Sequence, residues 1–347
     1  MANKSSLSDP AVSPFQILAL SGGGYLGLYS ACVLAKLEEV LDDRPLYTCF
    51  DLIAGTSVGG ILALGIAAGV PASTIADAFL NKGEAIFSSR PAPKSSWAML
   101  RDVARSVLSP KYSSEALRQT VAELVGDRSL SDVQRPCLIP AVNLTKGGPQ
   151  IFKTPHHPRF SRDLKLKLVD VAIATSAAPT FFPLASIGNE LFADGGLFAN
   201  SPDQIALHEA EHFLDVPCER IRMLSIGTTT SKFSFSHSAG VNLGLLNWAK
   251  GQRLVQAMLA SQQQMVDAVL KHRLGPNYLR LDTSQSPEQV RDLALDVAHA
   301  HARQTIQGLA ESTIREFINH PVLREILKNE APPSSFYDRK INGSIEQ

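Results

Sequence analysis

A serine flanked by glycines is the sequence feature that most directly suggests chemistry. Residues 55–59 read GTSVG, the G-x-S-x-G pattern that places a serine on a tight turn between a strand and a helix. The turn strains the serine backbone, so its neighbours must be small, and it directs the hydroxyl toward a helix N-terminus that favours negative charge. An apolar strand, Cys49 to Ala54, comes before the motif, and an apolar helix comes after it. The pattern predicts Ser57 as a nucleophile, with Gly55 and Gly59 supporting the turn.

A glycine-rich turn lies one strand–helix unit earlier. The apolar strand Phe15 to Leu20 ends in Ser21 followed by Gly22, Gly23 and Gly24. Three consecutive glycines suit an oxyanion hole, because their N–H groups can face a substrate oxygen with no side chain in the way. The G-x-S-x-G motif in the next unit favours this role for the backbone of these three residues.

The same turn allows a second interpretation. Gly22, Gly24 and Gly27 satisfy the G-x-G-x-x-G pattern of dinucleotide-binding folds. That pattern requires an acidic residue at the end of the next strand, where this chain has Gly55 and Ser57 instead. A dinucleotide-binding regulator built on Gly22–Gly27 stays open as an alternative hypothesis.

A serine nucleophile requires a base, and Asp194 is the candidate. It ends a short predicted strand and is followed by two glycines. Aspartate is a weak base for a hydroxyl, but beside the serine in a dry site it can accept the proton during attack. The alternatives are an ordinary Asp-Gly turn and a Ser-Asp-His triad completed by His208 or His212. Both histidines fall within a helix predicted from Ser201, where solvated side chains are the favoured interpretation.

Four motifs in this order resemble the patatin-like phospholipase family over residues 15–227: GGGYLG at 22–27, GTSVG at 55–59, ATSAAPTFFP at 174–183 and DGG at 194–196. The resemblance implies a Ser57–Asp194 dyad, with the backbone of the first motif as oxyanion hole. It implies hydrolysis of acyl esters in membrane lipids, without a metal or organic cofactor. The family commonly has Arg or Lys where this chain has Leu26, so any role of that cation must be filled otherwise or be absent.

Within that family, the architecture is similar to bacterial members that a cyclic dinucleotide activates in anti-phage defence (CBASS). The stretch Ala19 to Gly24 and the helical region after Val241 prompt this comparison. It implies a cyclic dinucleotide as allosteric activator and the membrane phospholipids as substrate. An unregulated patatin-type lipid acyl hydrolase and a catalytically dead scaffold are the alternatives.

The order of elements predicts the fold class. Strand, glycine turn and helix occur twice in succession, which is typical of parallel βαβ units. We therefore expect an α/β fold, a patatin-like three-layer α/β/α sandwich with a mostly parallel central sheet and C-terminal helical additions. The expected core covers residues 15–228, and a helical extension over 241–330 completes the same domain. Residues 1–14 and 331–347 are expected to be loose termini.

Composition excludes several classes. The 347 residues include 33 Lys and Arg against 33 Asp and Glu, and this balance argues against a dedicated nucleic-acid binder. The apolar fraction of 44% excludes a disordered chain. The four cysteines form no CxxC pair and suggest buried thiols in a reducing cytosol. The 25 uncharged residues between Asp51 and Asp77 could span a membrane by length, but their glycines and Pro71 favour a buried strand and helix.

The segment Glu84 to Glu115 combines basic and aromatic residues, which suits a lid that contacts anionic headgroups. Its basic residues and larger apolar residues are Arg90, Lys94, Arg101, Arg105, Lys111, Phe87, Trp97, Met99 and Leu100. A solvated surface loop is the alternative.

The polar N-terminus lacks a secretory signal, so we expect a cytoplasmic protein, peripheral to the inner face of the membrane when active. The C-terminal helices are core by default, with a homo-oligomer interface as an open alternative.

Overall fold

The fold was analysed in a computed structural model that describes residues 13–42, 44–87, 110–229, 233–234, 241–242, 244, 248 and 253–337. In this part of the chain, eight strands form one sheet: β1 (Phe15–Leu20), β2 (Leu52–Gly55), β3 (Cys137–Asn143), β4 (Gly148–Lys153), β5 (Ala185–Ile187), β6 (Glu190–Asp194), β7 (Ile221–Ile226) and β8 (Tyr278–Leu281). The helices are α1 (Gly27–Glu39), α2 (Val58–Ala67), α3 (Ala72–Phe87), α4 (Glu115–Val125), α5 (Leu168–Thr175), α6 (Gly196–Ala199), α7 (Asp203–His212), α8 (Arg253–Leu274), α9 (Gln289–Asp292), α10 (Ala300–Phe317) and α11 (Pro321–Lys328).

The sheet is covered by helices on both faces. Its strand order is β5-β6-β3-β2-β1-β7-β8, and β4 pairs with β3 outside this path. Strands β3, β2, β1, β7 and β8 are parallel, whereas β4, β5 and β6 are antiparallel to their neighbours. Alternate strand residues enter two apolar clusters: one with α1 to α5, α10 and α11, and the other with α7 and α8. The predicted three-layer α/β/α sandwich with a mostly parallel sheet is confirmed.

Strand β3 explains how two distant parts of the sequence meet. One of its edges pairs with β4 along 138–143, so β2 and β6 must share the other edge. Strand β2 pairs with β3 at Cys137 and Leu138, and β6 pairs at residues 141–143. Because β2 runs parallel to β3 and β6 runs antiparallel to it, their carboxyl ends point toward each other. Ser57 follows the end of β2 and Asp194 ends β6, so the topology brings these two residues together.

The uncharged run between Asp51 and Asp77 forms β2, α2 and the beginning of α3, and its strand and first helix are buried as predicted. None of the helices in the described ranges is both long and apolar enough to cross a membrane. Most of the predicted lid, residues 88–109, lies outside the described residues. The lid therefore stays a prediction.

The prediction of a loose terminus from residue 331 is wrong for residues 331–337. The Ala331 N–H donates to the Thr48 carbonyl, and the Tyr337 N–H donates to the Pro155 carbonyl. The Phe336 side chain is only 1% exposed. Burial of this one aromatic ring, together with the backbone hydrogen bonds, holds a segment whose Pro and Ser composition suggested a free tail.

Candidate active site

Ser57 occupies a strained turn between β2 and α2. Its backbone has φ 56° and ψ −126°, a region that residues with side chains seldom adopt. A Cβ at Gly55 would lie 2.1 Å from the Gly59 carbonyl oxygen, and a Cβ at Gly59 would lie 2.3 Å from the Leu20 carbonyl oxygen. Both positions therefore exclude any side chain. The turn has the geometry that the G-x-S-x-G pattern describes.

Ser57 and Asp194 contact each other directly. Ser57 Oγ donates a hydrogen bond of 2.6 Å to Asp194 Oδ2, and the Gly196 N–H donates one of 2.7 Å to Oδ1. The two residues are 8% and 6% exposed. Burial raises the pKa of Asp194 to about 6, although the hydrogen bonds from Ser57 and Gly196 act in the opposite direction. At neutral pH the carboxylate is therefore ionised, and it is a stronger base than an exposed aspartate.

Thr175, at the end of α5, hydrogen-bonds to the backbone near both members of this pair. The Ser57 N–H donates to Thr175 Oγ1 at 2.9 Å, and that hydroxyl donates to the Pro140 carbonyl on β3 at 2.6 Å. The Gly195 N–H donates to the Thr175 carbonyl at 3.2 Å. Sequence reasoning did not assign a role to Thr175, although it lies in the block at 174–183 that resembles the family. One buried threonine therefore fixes the backbone of both Ser57 and the residue after Asp194.

Replacing Thr175 with valine is expected to lower kcat for ester hydrolysis by about 10- to 100-fold, because a buried Ser57 N–H loses its acceptor and the serine shifts from Asp194. Replacing it with serine keeps the hydroxyl and should preserve most of the activity. Steady-state kinetics on a soluble ester, with the melting temperature of each variant, would check this. An equal loss in the serine variant would contradict this role, because serine keeps the hydroxyl that accepts from the Ser57 N–H.

The glycine loop (Gly22 to Gly24) lies beside Ser57. The Gly22 N–H donates to the Asn200 carbonyl at 2.9 Å, so this group is already engaged. In the part of the chain that the structure describes, the N–H groups of Gly23 and Gly24 have no acceptor, and both residues line the cavity with Ser57. The Gly22 N–H therefore anchors the loop to Asn200, and the N–H groups of Gly23 and Gly24 remain the predicted oxyanion donors.

A buried arginine lies beneath this loop and was also missed by sequence reasoning. Arg280, on β8, donates to Ser225 Oγ at 2.7 Å and Asp282 Oδ2 at 2.9 Å, and it lies 3.4 Å from Ser21 Oγ. Burial alone would lower the pKa of Arg280, but the Asp282 carboxylate raises it above its ordinary value. Leu26, where the family commonly has a cation, is buried and apolar. The available sequence signal for this buried ion pair was an Arg and an Asp two residues apart, Arg280 in the apolar strand β8 and Asp282 directly after it.

A mainly apolar cavity of about 180 Å³ opens above Ser57 and Asp194. Its walls include Val58, Ile61, Phe87, Phe182, Met258 and Leu259. A concave apolar site with a few polar groups at its floor suits a hydrocarbon chain that ends in a reactive ester.

The histidines considered for a triad lie elsewhere. His208 and His212 are exposed on α7, where their rings stack on each other at 5.1 Å, and neither lines the cavity. Among the described residues, no group of three or more His, Cys, Asp or Glu side chains could hold a metal ion. The pair that the structure brings together is Ser57 and Asp194.

Comparisons with known proteins agree with this geometry. Residues 18–207 match the family described as patatin-like phospholipase. A protein named cGAMP-activated phospholipase from Pseudomonas aeruginosa is 38% identical, over 94% of this chain and 96% of its own length. Proteins of the same name from Vibrio cholerae and Escherichia coli are 37% and 34% identical, over 90% and 96% of this chain and 94% and 97% of their own lengths. The chain therefore belongs to the patatin-like phospholipase family.

Proposed function

We propose that this protein is a phospholipase that releases fatty acids from membrane phospholipids through a Ser57–Asp194 dyad, and that a cyclic dinucleotide activates it as an antiviral effector. The observation that carries the catalytic part is the 2.6 Å hydrogen bond between the two side chains beneath an apolar cavity. The name cGAMP-activated phospholipase, shared by three relatives that align over nearly the whole chain, supports the activator.

The proposed reaction has two steps. Asp194 accepts the hydroxyl proton while Ser57 Oγ attacks the ester carbonyl, and the N–H groups of Gly23 and Gly24 stabilise the resulting oxyanion. Asp194 then gives the proton to the departing lysophospholipid oxygen, which leaves an acyl-enzyme. In the second step Asp194 takes a proton from water as the water attacks the acyl group, and it gives this proton to Ser57 Oγ as the acyl bond breaks, which releases the fatty acid and restores the hydroxyl. No metal or organic cofactor is part of the proposal.

The alternative of a nucleotide-binding regulator built on Gly22–Gly27 has less support. Gly23 and Gly24 line the same cavity as Ser57, so the loop and the dyad form one site. An unregulated acyl hydrolase would use the same dyad and differs only in its response to a nucleotide. Fatty-acid release measured with and without nucleotide distinguishes the activated phospholipase, the unregulated hydrolase and the regulator.

We also propose a cytoplasmic protein that acts at the inner face of the membrane. The four cysteines, all within the described ranges, are unpaired, and burial raises the pKa of the Cys137 thiol, which makes it unreactive. Free thiols of this kind fit a reducing compartment. The substrate is the membrane lipid itself, and nucleic acid has no part in the proposal.

The direct test is fatty-acid release from phosphatidylethanolamine–phosphatidylglycerol vesicles, with and without cGAMP. We expect release with the nucleotide, little release without it, and none from a Ser57→Ala variant in either case. A linear dinucleotide serves as the control ligand. Equal release without nucleotide would remove the activator from the proposal, and nucleotide binding without any release would favour the regulator alternative.

A further inference from the structure

The chain after β8 packs against the glycine loop, although it lies beyond residues 18–207 that match the family. The Tyr25 N–H donates to the Leu295 carbonyl oxygen at 2.7 Å. Gly24 has φ +56°, and a Cβ there would lie 2.1 Å from the same carbonyl oxygen. The Leu295 carbonyl therefore holds the peptide that joins Gly24 to Tyr25, and it sets the direction of the backbone beside a proposed oxyanion donor.

The neighbouring residue, Asp296, anchors this contact. Its side chain is only 6% exposed, accepts a hydrogen bond from the Tyr112 hydroxyl at 2.8 Å and forms an ion pair with Lys111. We call these three residues the Asp296 cluster. A buried carboxylate with a hydroxyl and an ammonium as donors is well satisfied, so it restricts the backbone on which it lies.

The Asp296 cluster is attached in turn to a second segment of the cavity lining, residues 180–182. The Lys111 N–H donates to the Thr180 carbonyl at 2.9 Å, and the Tyr112 N–H donates to the Phe181 carbonyl at 2.8 Å. The Tyr112 ring also lies 5.8 Å from the Phe182 ring. Residues 180–182 line the cavity and belong to the block that leads into β6 and Asp194. A single carboxylate thus connects the segment that contacts the glycine loop to residues 180–182, a second part of the cavity lining.

We propose that Asp296 is a positioning residue for ester hydrolysis, which acts through Leu295 to hold Gly24 in the orientation that stabilises the oxyanion. This inference rests on the proposed hydrolase function. Asp296 itself does not line the cavity, so its loss should change the rate of the chemical step more than substrate binding.

The test compares Asp296→Ala, Asp296→Asn and Tyr112→Phe on a soluble ester such as p-nitrophenyl butyrate, with active sites counted by exhaustive fluorophosphonate labelling. For Asp296→Ala we expect kcat per labelled site to fall about 10- to 100-fold, with KM changed less than threefold. Asparagine keeps an oxygen acceptor for Tyr112 and should restore part of the rate. Tyr112→Phe should lose less, and adding it to Asp296→Ala should cause no further loss, because both changes break one contact.

Glu211→Ala is the matched control. It breaks an ion pair between α7 and Arg273 on α8, and Arg273 lies about 21 Å along α8 from Leu259, the nearest cavity residue of that helix. This control should keep its kcat per labelled site. If Asp296→Ala lowers only the melting temperature or the labelled fraction, with kcat per site unchanged, the inference is overturned. Failure of the wild-type protein on vesicles would contradict the proposed lipid substrate, and this soluble-ester comparison would still decide the role of Asp296.

Discussion

Replacing Ser57 with alanine is expected to reduce fatty-acid release by at least about 10³-fold, to the level of vesicles without enzyme. Ser57 supplies the only nucleophile in the proposed mechanism, so no acyl-enzyme can form without it. Alanine has nearly the same size and can occupy the same strained backbone, which Gly55 and Gly59 make available. The loss should therefore be chemical, and the melting temperature should fall by no more than the loss of one buried hydrogen bond to Asp194 produces. Fatty-acid release in the presence of cGAMP, together with loss of fluorophosphonate labelling, measures this loss.

His208→Ala is the control that separates a dyad from a triad. The histidine is exposed on α7 and its ring contacts His212 and Phe213, so removal should leave hydrolysis within about twofold of the wild type. If His208→Ala were as inactive as Ser57→Ala, Asp194 could not be the base that acts alone. Retained activity in the His208 variant, beside complete loss at Ser57, is the result that the structure leads us to expect.

Sequence reasoning reached the fold because the βαβ pattern and the glycine turns are local signals. Strand β1 has apolar residues facing both helical layers, and the elbow glycines show as a short motif. The contact between Ser57 and Asp194, by contrast, has no local sequence signal. It depends on β2 and β6 sharing one edge of β3, and strand register between segments 137 residues apart in sequence leaves no local trace. From the residues alone Asp194 was one candidate base beside a triad with a histidine, and the family resemblance pointed to the dyad.

The supporting residues were less predictable for the same reason. Thr175 and Asp296 act through hydrogen bonds to distant backbone groups, and neither residue type is unusual in its own segment. Ser286 opens the sequence SPEQ at 286–289, a helix start signal that predicts a long helix from this residue. Its hydroxyl and the Gln289 side chain form the predicted start signal, with hydrogen bonds of 3.2 and 2.8 Å, but α9 ends after one turn at Asp292. The following residues leave the helix and contact the glycine loop, so a tertiary contact outweighs local propensity there.

Replacing Asp194 with asparagine is expected to abolish hydrolysis while making the folded protein more stable above pH 6. Asparagine cannot accept the Ser57 proton, so activity should fall by at least about 10³-fold. The amide can still accept from the Gly196 N–H and can donate to Ser57 Oγ, so the hydrogen bonds of the site are retained. The substitution removes a buried negative charge, and burying that charge lowers the free energy of unfolding of the wild type.

The pH dependence of unfolding identifies this cost. Burial raises the pKa of Asp194 from 3.8 to about 6, so between these values the folded state binds more protons than the unfolded state. The stabilisation that Asp194 contributes to the wild-type fold is therefore fully present below about pH 4 and is lost as the pH rises through 6. Because its pKa is raised from 3.8 to about 6, the total loss is roughly 3 kcal/mol. Urea unfolding at pH 8 should show Asp194→Asn more stable than wild type by on the order of 1–3 kcal/mol, with the difference shrinking toward pH 4. Ser57→Ala keeps the carboxylate but removes a hydrogen bond that favours its ionised form, so its stability should fall with rising pH at least as steeply as that of the wild type. A stability difference that stayed constant with pH would mean that Asp194 is not the buried base of this site.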